Sequence, residues 1–263
     1  MSRVDINLSN IEYLAISDVH LQDLTGLNGR RMLELFKVAK DSPIEGVILV
    51  GDIFEFILGS SSYFKRKYQA FGDALTELVE AGKRVVFVEG NHEFDLARLA
   101  WEGVEFVEEQ DFVLSMNCGS KVKFTHGDQV FAPRAYQYFR KVVKSRLFLF
   151  LASFIPGGFM DRMALKGAEV SRAQDQYRTM DHSKILGAMG SWLGVEADYG
   201  VFGHFHVPYA NPNSHGRGLL VSMDSWENPS LLGFGQTGVV RYQYENGQLL
   251  PHGPYPAEEH PLE

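Results

Sequence analysis

The sequence predicts an α/β fold, and three observations predict it. Between residues 13 and 90, short apolar runs alternate with stretches whose apolar residues recur at helical spacing, the pattern of strand-helix steps and a parallel sheet. From residue 104 onward the runs shorten and turn residues separate them, as in hairpins. Residues 129–183 read as helices and divide the α/β body (1–128 and 184–250) as an inserted lid, with a loose tail at 251–263.

Taken in order, Tyr13–Ser17 is a short apolar strand that ends in Asp18-Val19-His20. Arg30–Ala39 places Met32, Leu35, Phe36 and Ala39 at helical spacing, and Gly46–Val50 is a buried strand that releases Gly51-Asp52-Ile53-Phe54-Glu55. A second amphipathic helix is expected over Lys65–Ala81, stopped by Gly82. The β-branched run Arg84–Val88 then opens into Gly90-Asn91-His92-Glu93, followed by a short helix over Phe94–Ala100. Strands at Val104–Val107, Phe112–Met116 and Val122–Thr125 follow, with a turn at Asn117-Cys118-Gly119, and the last of them ends in His126-Gly127-Asp128. Beyond the lid, the strand Asp198–Phe202 ends in Gly203-His204-Phe205-His206. Gly218–Met223 and Gly238–Tyr244 are strands, with Glu245-Asn246-Gly247 as a hairpin turn.

Composition narrows the function classes. A chain of 263 residues with 45% apolar side chains supports one large core with an insertion. The net charge of −8 argues against a general nucleic-acid binder, which needs a basic surface for phosphates. The single cysteine, Cys118, forms no internal disulfide. No run approaches the roughly 20 apolar residues that span a bilayer. The first ten residues lack the basic-then-apolar order of a secretory signal, so the cytoplasm is the expected compartment.

Five strand ends therefore deliver Asp18 and His20, Asp52, Asn91 and His92, His126, and His204 with His206; five of the nine histidines lie in these segments. In open α/β sheets ligands bind at the carboxyl ends of strands. The chemistry fits a two-ion site, in which paired divalent metals clamp the attacking and leaving oxygens of an in-line displacement at phosphorus. Imidazole, carboxylate and amide donors together point to manganese, with iron or zinc as alternatives, rather than to calcium, which prefers an all-oxygen shell.

In this order, Asp-x-His, Gly-Asp-x-x-Glu, Gly-Asn-His-Glu, His-Gly-Asp and Gly-His-x-His resemble the motifs of the calcineurin-like metallophosphoesterases. The resemblance implies a four-layer sandwich, two sheets face to face with helices outside. It also implies that Asp18, His20, Asp52 and His206 hold one ion and that Asp52, Asn91, His126 and His204 hold the other, with Asp52 as the bridge. His92 would then protonate the leaving oxygen, and Glu55 would either orient His92 or be a surface carboxylate.

The lid differs in charge from the body. Residues 131–178 hold nine basic and three acidic side chains, a net +6 that leaves −14 elsewhere. Tyr136, Phe139, Val142 and Val143 precede the apolar run Leu147–Ile155, and Pro156-Gly157-Gly158 breaks the chain before a helix expected over Phe159–Tyr177. Either the apolar face is buried on the body, or it serves an anionic lipid surface or a substrate with phosphates and acyl chains; the second reading is the one adopted. Gly51–Glu55, His126–Asp128, Tyr136–Arg140 and Trp226–Ser230 are also similar to segments of the bacterial UDP-2,3-diacylglucosamine pyrophosphatases of lipid A biosynthesis. That resemblance implies a lipid-linked nucleotide substrate at the inner membrane face and a cleft lined by Tyr136, Phe139 and Arg140. The chain departs from that group in having His92 where it has arginine, and Ser60 and Ser61 where it has acidic residues. A soluble phosphodiesterase or phosphatase acting on nucleotides or other phosphorylated small molecules is the alternative reading; a scaffold that has lost catalysis is a third, with no physical need for seven such ligands. His182, His215, His252 and His260 are read as surface residues, with His182, which lies in the insertion, as the exception to expect among them.

Overall fold

The computed structural model describes residues 8, 10–108, 110–130, 134–173, 182–216, 218–227, 229–236, 238–245 and 248–252. Strands β1 (Ile11–Ile16), β2 (Gly46–Val50) and β4 (Arg84–Val88) run parallel at the centre of a seven-stranded sheet. The sheet is completed by β6 (Glu105–Val107) on one side, and by β12 (Ser230–Gly235), β13 (Gly238–Glu245) and β14 (Gln248–His252), all antiparallel, on the other. A five-stranded sheet has the order β10 (Tyr209–Pro212), β11 (Leu219–Ser222), β9 (Tyr199–Phe202), β8 (Lys121–Thr125) and β7 (Phe112–Ser115), with β8 and β9 parallel.

The period-2 alternation of strand side chains decides the layering. Tyr13, Ala15, Ile48, Val50, Val86 and Val88 face the second sheet and pack with Phe124, Val122, Val201 and Val221. Their neighbours Leu14, Ile16, Val47, Leu49, Val85 and Phe87 face the opposite way and bury α1 (Leu27–Asp41) and α3 (Gln69–Glu80) through Met32, Leu35, Phe36, Leu75 and Leu78. On the outer face of the five-stranded sheet, α7 (His182–Leu193) packs Ile185, Met189 and Leu193 against Phe202 and Leu220. Helix, sheet, sheet, helix is the expected four-layer order.

Several elements differ from the sequence expectation. The helix expected over Lys65–Ala81 is two helices, α2 (Ser62–Lys67) and α3. They are broken at Tyr68, whose φ of −109° and ψ of 19° let its hydroxyl donate to the Leu21 carbonyl at 3.0 Å. The segment expected as a helix from Phe94 is instead strand β5 (Glu93–Phe94), paired with β3 (Ile57–Leu58), and a single 3-10 turn at Leu96–Leu99. Asp95 and Ala100 flank that turn in the left-handed region, where an α-helix cannot continue. The segment expected as a lid holds α4 (Arg134–Val143), α5 (Arg146–Ala152) and α6 (Gly157–Ala173). Ser145 separates the first two by capping α5, its Oγ accepting from the Phe148 N–H at 3.3 Å. The expected end of the last lid helix at Tyr177, and the turn residues 246 and 247, lie outside the described residues, as does His260. No single helix among the described residues is long and apolar enough to cross a membrane.

Candidate metal centre

β1, β2, β4, β8 and β9 all end at one edge of the sandwich, and each hands its next residues to the same space. The Asp18 N–H donates to the Gly51 carbonyl and the Gly203 N–H to the His126 carbonyl, both at 3.1 Å, so the loops are stitched before any side chain acts. Asp18, His20, Asp52, His204 and His206 have φ between 50° and 68°, in the left-handed region that non-glycine residues avoid. Seven described non-glycine residues lie there, and five of them are predicted ligands. Such backbone persists only where the surroundings over-determine it, and it clusters at functional sites. Two glycines allow the close approach: a Cβ on Gly90 would collide with Asp52 Oδ1 and the Asp52 nitrogen, and one on Gly203 with Ser17 Oγ and Asp18 Oδ2.

Two clusters result. In one, Asp18 Oδ1 is 3.2 Å from His206 Nε2, which is 3.4 Å from His20 Nε2. Ser17 Oγ donates to Asp18 Oδ2 at 2.5 Å, and the His204 N–H donates to the same carboxylate at 3.0 and 3.1 Å. In the other, Asp52 Oδ2 is 3.2 Å and Asn91 Oδ1 3.0 Å from His126 Nε2. Ligand atoms of Asp52, His126 and His204 lie within 4.8 Å of one another, as do those of Asp18, His20 and His206.

The electrostatics match a cation site. The His126 Nδ1–H donates to the Val50 carbonyl at 3.1 Å, which turns Nε2 toward a carboxylate and an amide oxygen. Burial opposes a charged ring there, but the Asp52 carboxylate outweighs it and raises His126 to about 10, so a positive charge is wanted at that point. Burial lowers His20 to about 3 and His204 to about 4, which leaves both rings neutral and able to ligate. Imidazole, carboxylate and amide donors converging in two groups of this kind fit two divalent transition-metal ions.

His92 is half-buried beside these clusters. Its Nδ1–H donates to the backbone carbonyl of Glu55 at 2.7 Å, and its Nε2 lies 3.8 Å from Asp52 Oδ2. The buried Glu55 carboxylate stands 3.8 Å from the same Nδ1, so the backbone oxygen of Glu55 makes the shorter contact with the ring. Burial disfavours a charged His92, but Asp52 and the Glu55 carbonyl outweigh it and raise its pKa.

Of the residues expected to line a substrate cleft, Phe139 is exposed and Tyr136 is partly buried with its hydroxyl 3.3 Å from Asp128 Oδ2. Arg140 is 5% exposed, and its Nε donates to that same oxygen at 2.7 Å. A cleft of about 590 Å³ is walled by Glu89, Asp95 and Arg98 on one side and by Lys144, Leu149 and Phe150 of the inserted helical segment on the other.

One residue of the site carried no assignment from sequence. Glu93 is fully buried, and its carboxylate accepts from the backbone N–H groups of Asp52, Ile53, Phe54 and Gly90 at 2.7 to 3.2 Å. It ties the Asp52 loop to the Asn91 loop. Its only sequence signal is its place as the last residue of Gly-Asn-His-Glu.

A family model for calcineurin-like phosphoesterases matches residues 11–208. The chain is 25% identical over 221 residues to a UDP-2,3-diacylglucosamine hydrolase of Neisseria meningitidis serogroup C, covering 81% of this chain and 89% of that protein. It is 28% identical over 170 residues to a protein of the same name from Pseudomonas fluorescens, covering 64% and 67%. Among solved structures, a dimetal phosphatase from Danio rerio is similar at 13% identity with a TM-score of 0.46, over 92% of this chain and 98% of that one.

Proposed function

The chain belongs to the calcineurin-like phosphoesterase family, and from that premise we propose that it is a dinuclear metal hydrolase that cleaves the pyrophosphate of UDP-2,3-diacylglucosamine at the cytoplasmic face of a membrane. The observation that carries the reaction class is the convergence of seven donors from five strand ends, five of them on left-handed backbone. Asp18, His20, Asp52 and His206 would hold one ion, and Asp52, Asn91, His126 and His204 the other. When bound, the two ions polarise the phosphoryl oxygens and make water nucleophilic near neutral pH.

The chain's own residues supply the rest. The Val50 carbonyl fixes the tautomer of His126 and aims its Nε2 inward. Glu93 holds the Asp52 and Asn91 loops in register. The Glu55 carbonyl retains the Nδ1 proton of His92, and the Asp52 carboxylate favours a second proton on Nε2. His92 would thereby present its Nε2 on the side facing the ions, from which it would donate to the departing phosphate oxygen.

The lid, taken as residues 129–183, supports the lipid-linked substrate. Leu147, Phe150, Leu151, Phe154, Phe159 and Met163 are all more than half exposed, and Arg146 on α5, Arg162 and Lys166 on α6 and Lys141 on the neighbouring α4 are exposed as well. An apolar face with basic neighbours suits an anionic lipid surface. The relatives' activity, carried to this chain, gives the nucleotide half. A second reading, hydrolysis of soluble nucleotides or phosphorylated small molecules, draws on the charged walls of the cleft.

The test is to incubate the manganese-loaded protein with UDP-2,3-diacylglucosamine and with a panel of nucleotides, and to identify the products. UMP and a diacylglucosamine phosphate are expected. Turnover of the soluble panel with no UMP from the lipid would overturn the lipid reading and leave the reaction class standing.

A further inference from the structure

The first lid helix, α4, carries Arg140, and Lys144 follows directly on its last residue, Val143, where its N–H closes the final turn on the Arg140 carbonyl at 2.9 Å, so the two cations are four residues apart. Residues four apart share one face of a helix. Both side chains are removed from water, with 5% and 6% of their surface exposed, although neighbours such as Phe139, Lys141 and Leu147 are exposed. A buried cation needs a fixed partner, and the two partners occupy equivalent places. Arg140 Nε donates to Asp128 at 2.7 Å, and Asp128 lies two residues after His126. Lys144 Nζ donates to the Gly90 carbonyl at 2.8 Å and sits 3.2 Å from Glu89 Oε1; Gly90 immediately precedes Asn91. Asn91 Oδ1 and His126 Nε2, in turn, are 3.0 Å apart. These contacts of the two cations go to the loops that carry His126 and Asn91.

We propose that α4 clamps one half of the metal pair: Arg140 and Lys144 are positioning residues that hold the His126 and Asn91 loops at their working separation. The way the lid is seated thus sets the affinity for the ion between those two residues and leaves the other ion alone. This rests on the dinuclear reading but not on any substrate. Without the Lys144 ammonium, the buried Glu89 carboxylate loses the cation beside it, and the Gly90 carbonyl loses a charged donor one residue from a metal ligand. Changes to groups that orient ligands typically weaken metal binding about 10- to 100-fold.

The experiment is a calorimetric titration of metal-free protein with Mn²⁺, alongside a thermal melt of each variant. Two binding events are expected in the unaltered protein, one of which Asn91→Ala weakens. Lys144→Met should weaken that same event about 10- to 100-fold and leave the other unchanged, while Lys144→Arg should restore it. In the double variant the remaining event should match that of Asn91→Ala alone. Equal weakening of both events by Lys144→Met, or of neither, would overturn the proposal, as would a further loss in the double variant. If Lys144→Met does not fold, Glu89→Gln, which keeps the side-chain shape, must show the same selective loss, and an indiscriminate loss overturns the clamp. A single event in the unaltered protein would remove the dinuclear reading together with the clamp, whereas two events with an indiscriminate Lys144→Met effect would remove the clamp alone.

Discussion

In the two-sheet body, Phe124, Val201 and Phe234 are enclosed between facing strands, while in the lid Leu147, Phe150 and Phe154 stand mostly in water. Charge divides the same way, with a net +6 between residues 131 and 178 and −14 elsewhere. The body encloses most of its apolar strand residues and gathers Asp18, Asp52, His126 and Glu93 in buried positions at one edge. The lid exposes apolar groups and buries two of its charges where they touch that edge. In the body, burial serves stability and ion binding; in the lid, the outward apolar surface adds little to the fold and is available to something outside the protein.

The largest effects are expected at the edge of the body. Asp52→Ala should lower turnover of a chromogenic phosphodiester by ~10³-fold or more, about 4 kcal/mol of barrier, with an unchanged melting profile; turnover like the unaltered protein's would break the shared-carboxylate assignment. His92→Ala should cost ~10²- to 10⁴-fold in turnover with both ions retained by metal analysis, and loss of one ion would make His92 a ligand instead.

Stability should separate the two regions. Phe124→Ala in the fully buried inter-sheet core should cost about 3–5 kcal/mol of unfolding free energy. Phe154→Ala in the lid, where the ring is 71% exposed, should change it by no more than about 0.5 kcal/mol while reducing sedimentation with anionic vesicles. Comparable denaturation midpoint shifts for both would erase the contrast between body and lid.

A smaller and graded effect follows from the His126 ring. With its pKa raised to about 10 by Asp52 against the cost of burial, it holds a proton at neutral pH that an arriving ion must displace. Metal affinity should therefore rise with pH, by about tenfold per unit for the one proton released, and level off above about 10. His20 and His204, at about 3 and about 4, are already neutral and add nothing to that slope, whereas His206, raised by Asp18 against the cost of burial, adds a proton of its own at the other ion. Calorimetric titration with Mn²⁺ at several pH values measures it, and a flat profile would show that the ion does not compete for that nitrogen.

Much of the body was legible in the sequence because period-2 and helical spacing report burial directly. Tyr13 and Ala15 against Leu14 and Ile16 are separated by alternation alone. The strand-end positions of Asp18, Asp52, Asn91, His126 and His204 followed from the same runs. What escaped depends on partners distant in the chain. The break at Tyr68 answers the Leu21 carbonyl, 47 residues away. The clamp by Glu93 reaches the Asp52 loop across 39 to 41 residues. Lys144 looks like any other basic lid residue until its bond to Gly90, 54 residues back, is seen. Helix α7 did carry a signal, with Ile185, Met189 and Leu193 at helical spacing, but Gly187 and Gly190 weaken the propensity of that stretch.

The most direct test of the two-ion account is an anomalous diffraction experiment on crystals of the protein soaked in Mn²⁺. Two peaks about 3.5–4 Å apart are expected, with Asp52 between them, one contacted by Asp18, His20 and His206 and the other by Asn91, His126 and His204. A single peak, or a peak held by His20, Glu55 and His92, which also converge within 4.8 Å, would contradict it.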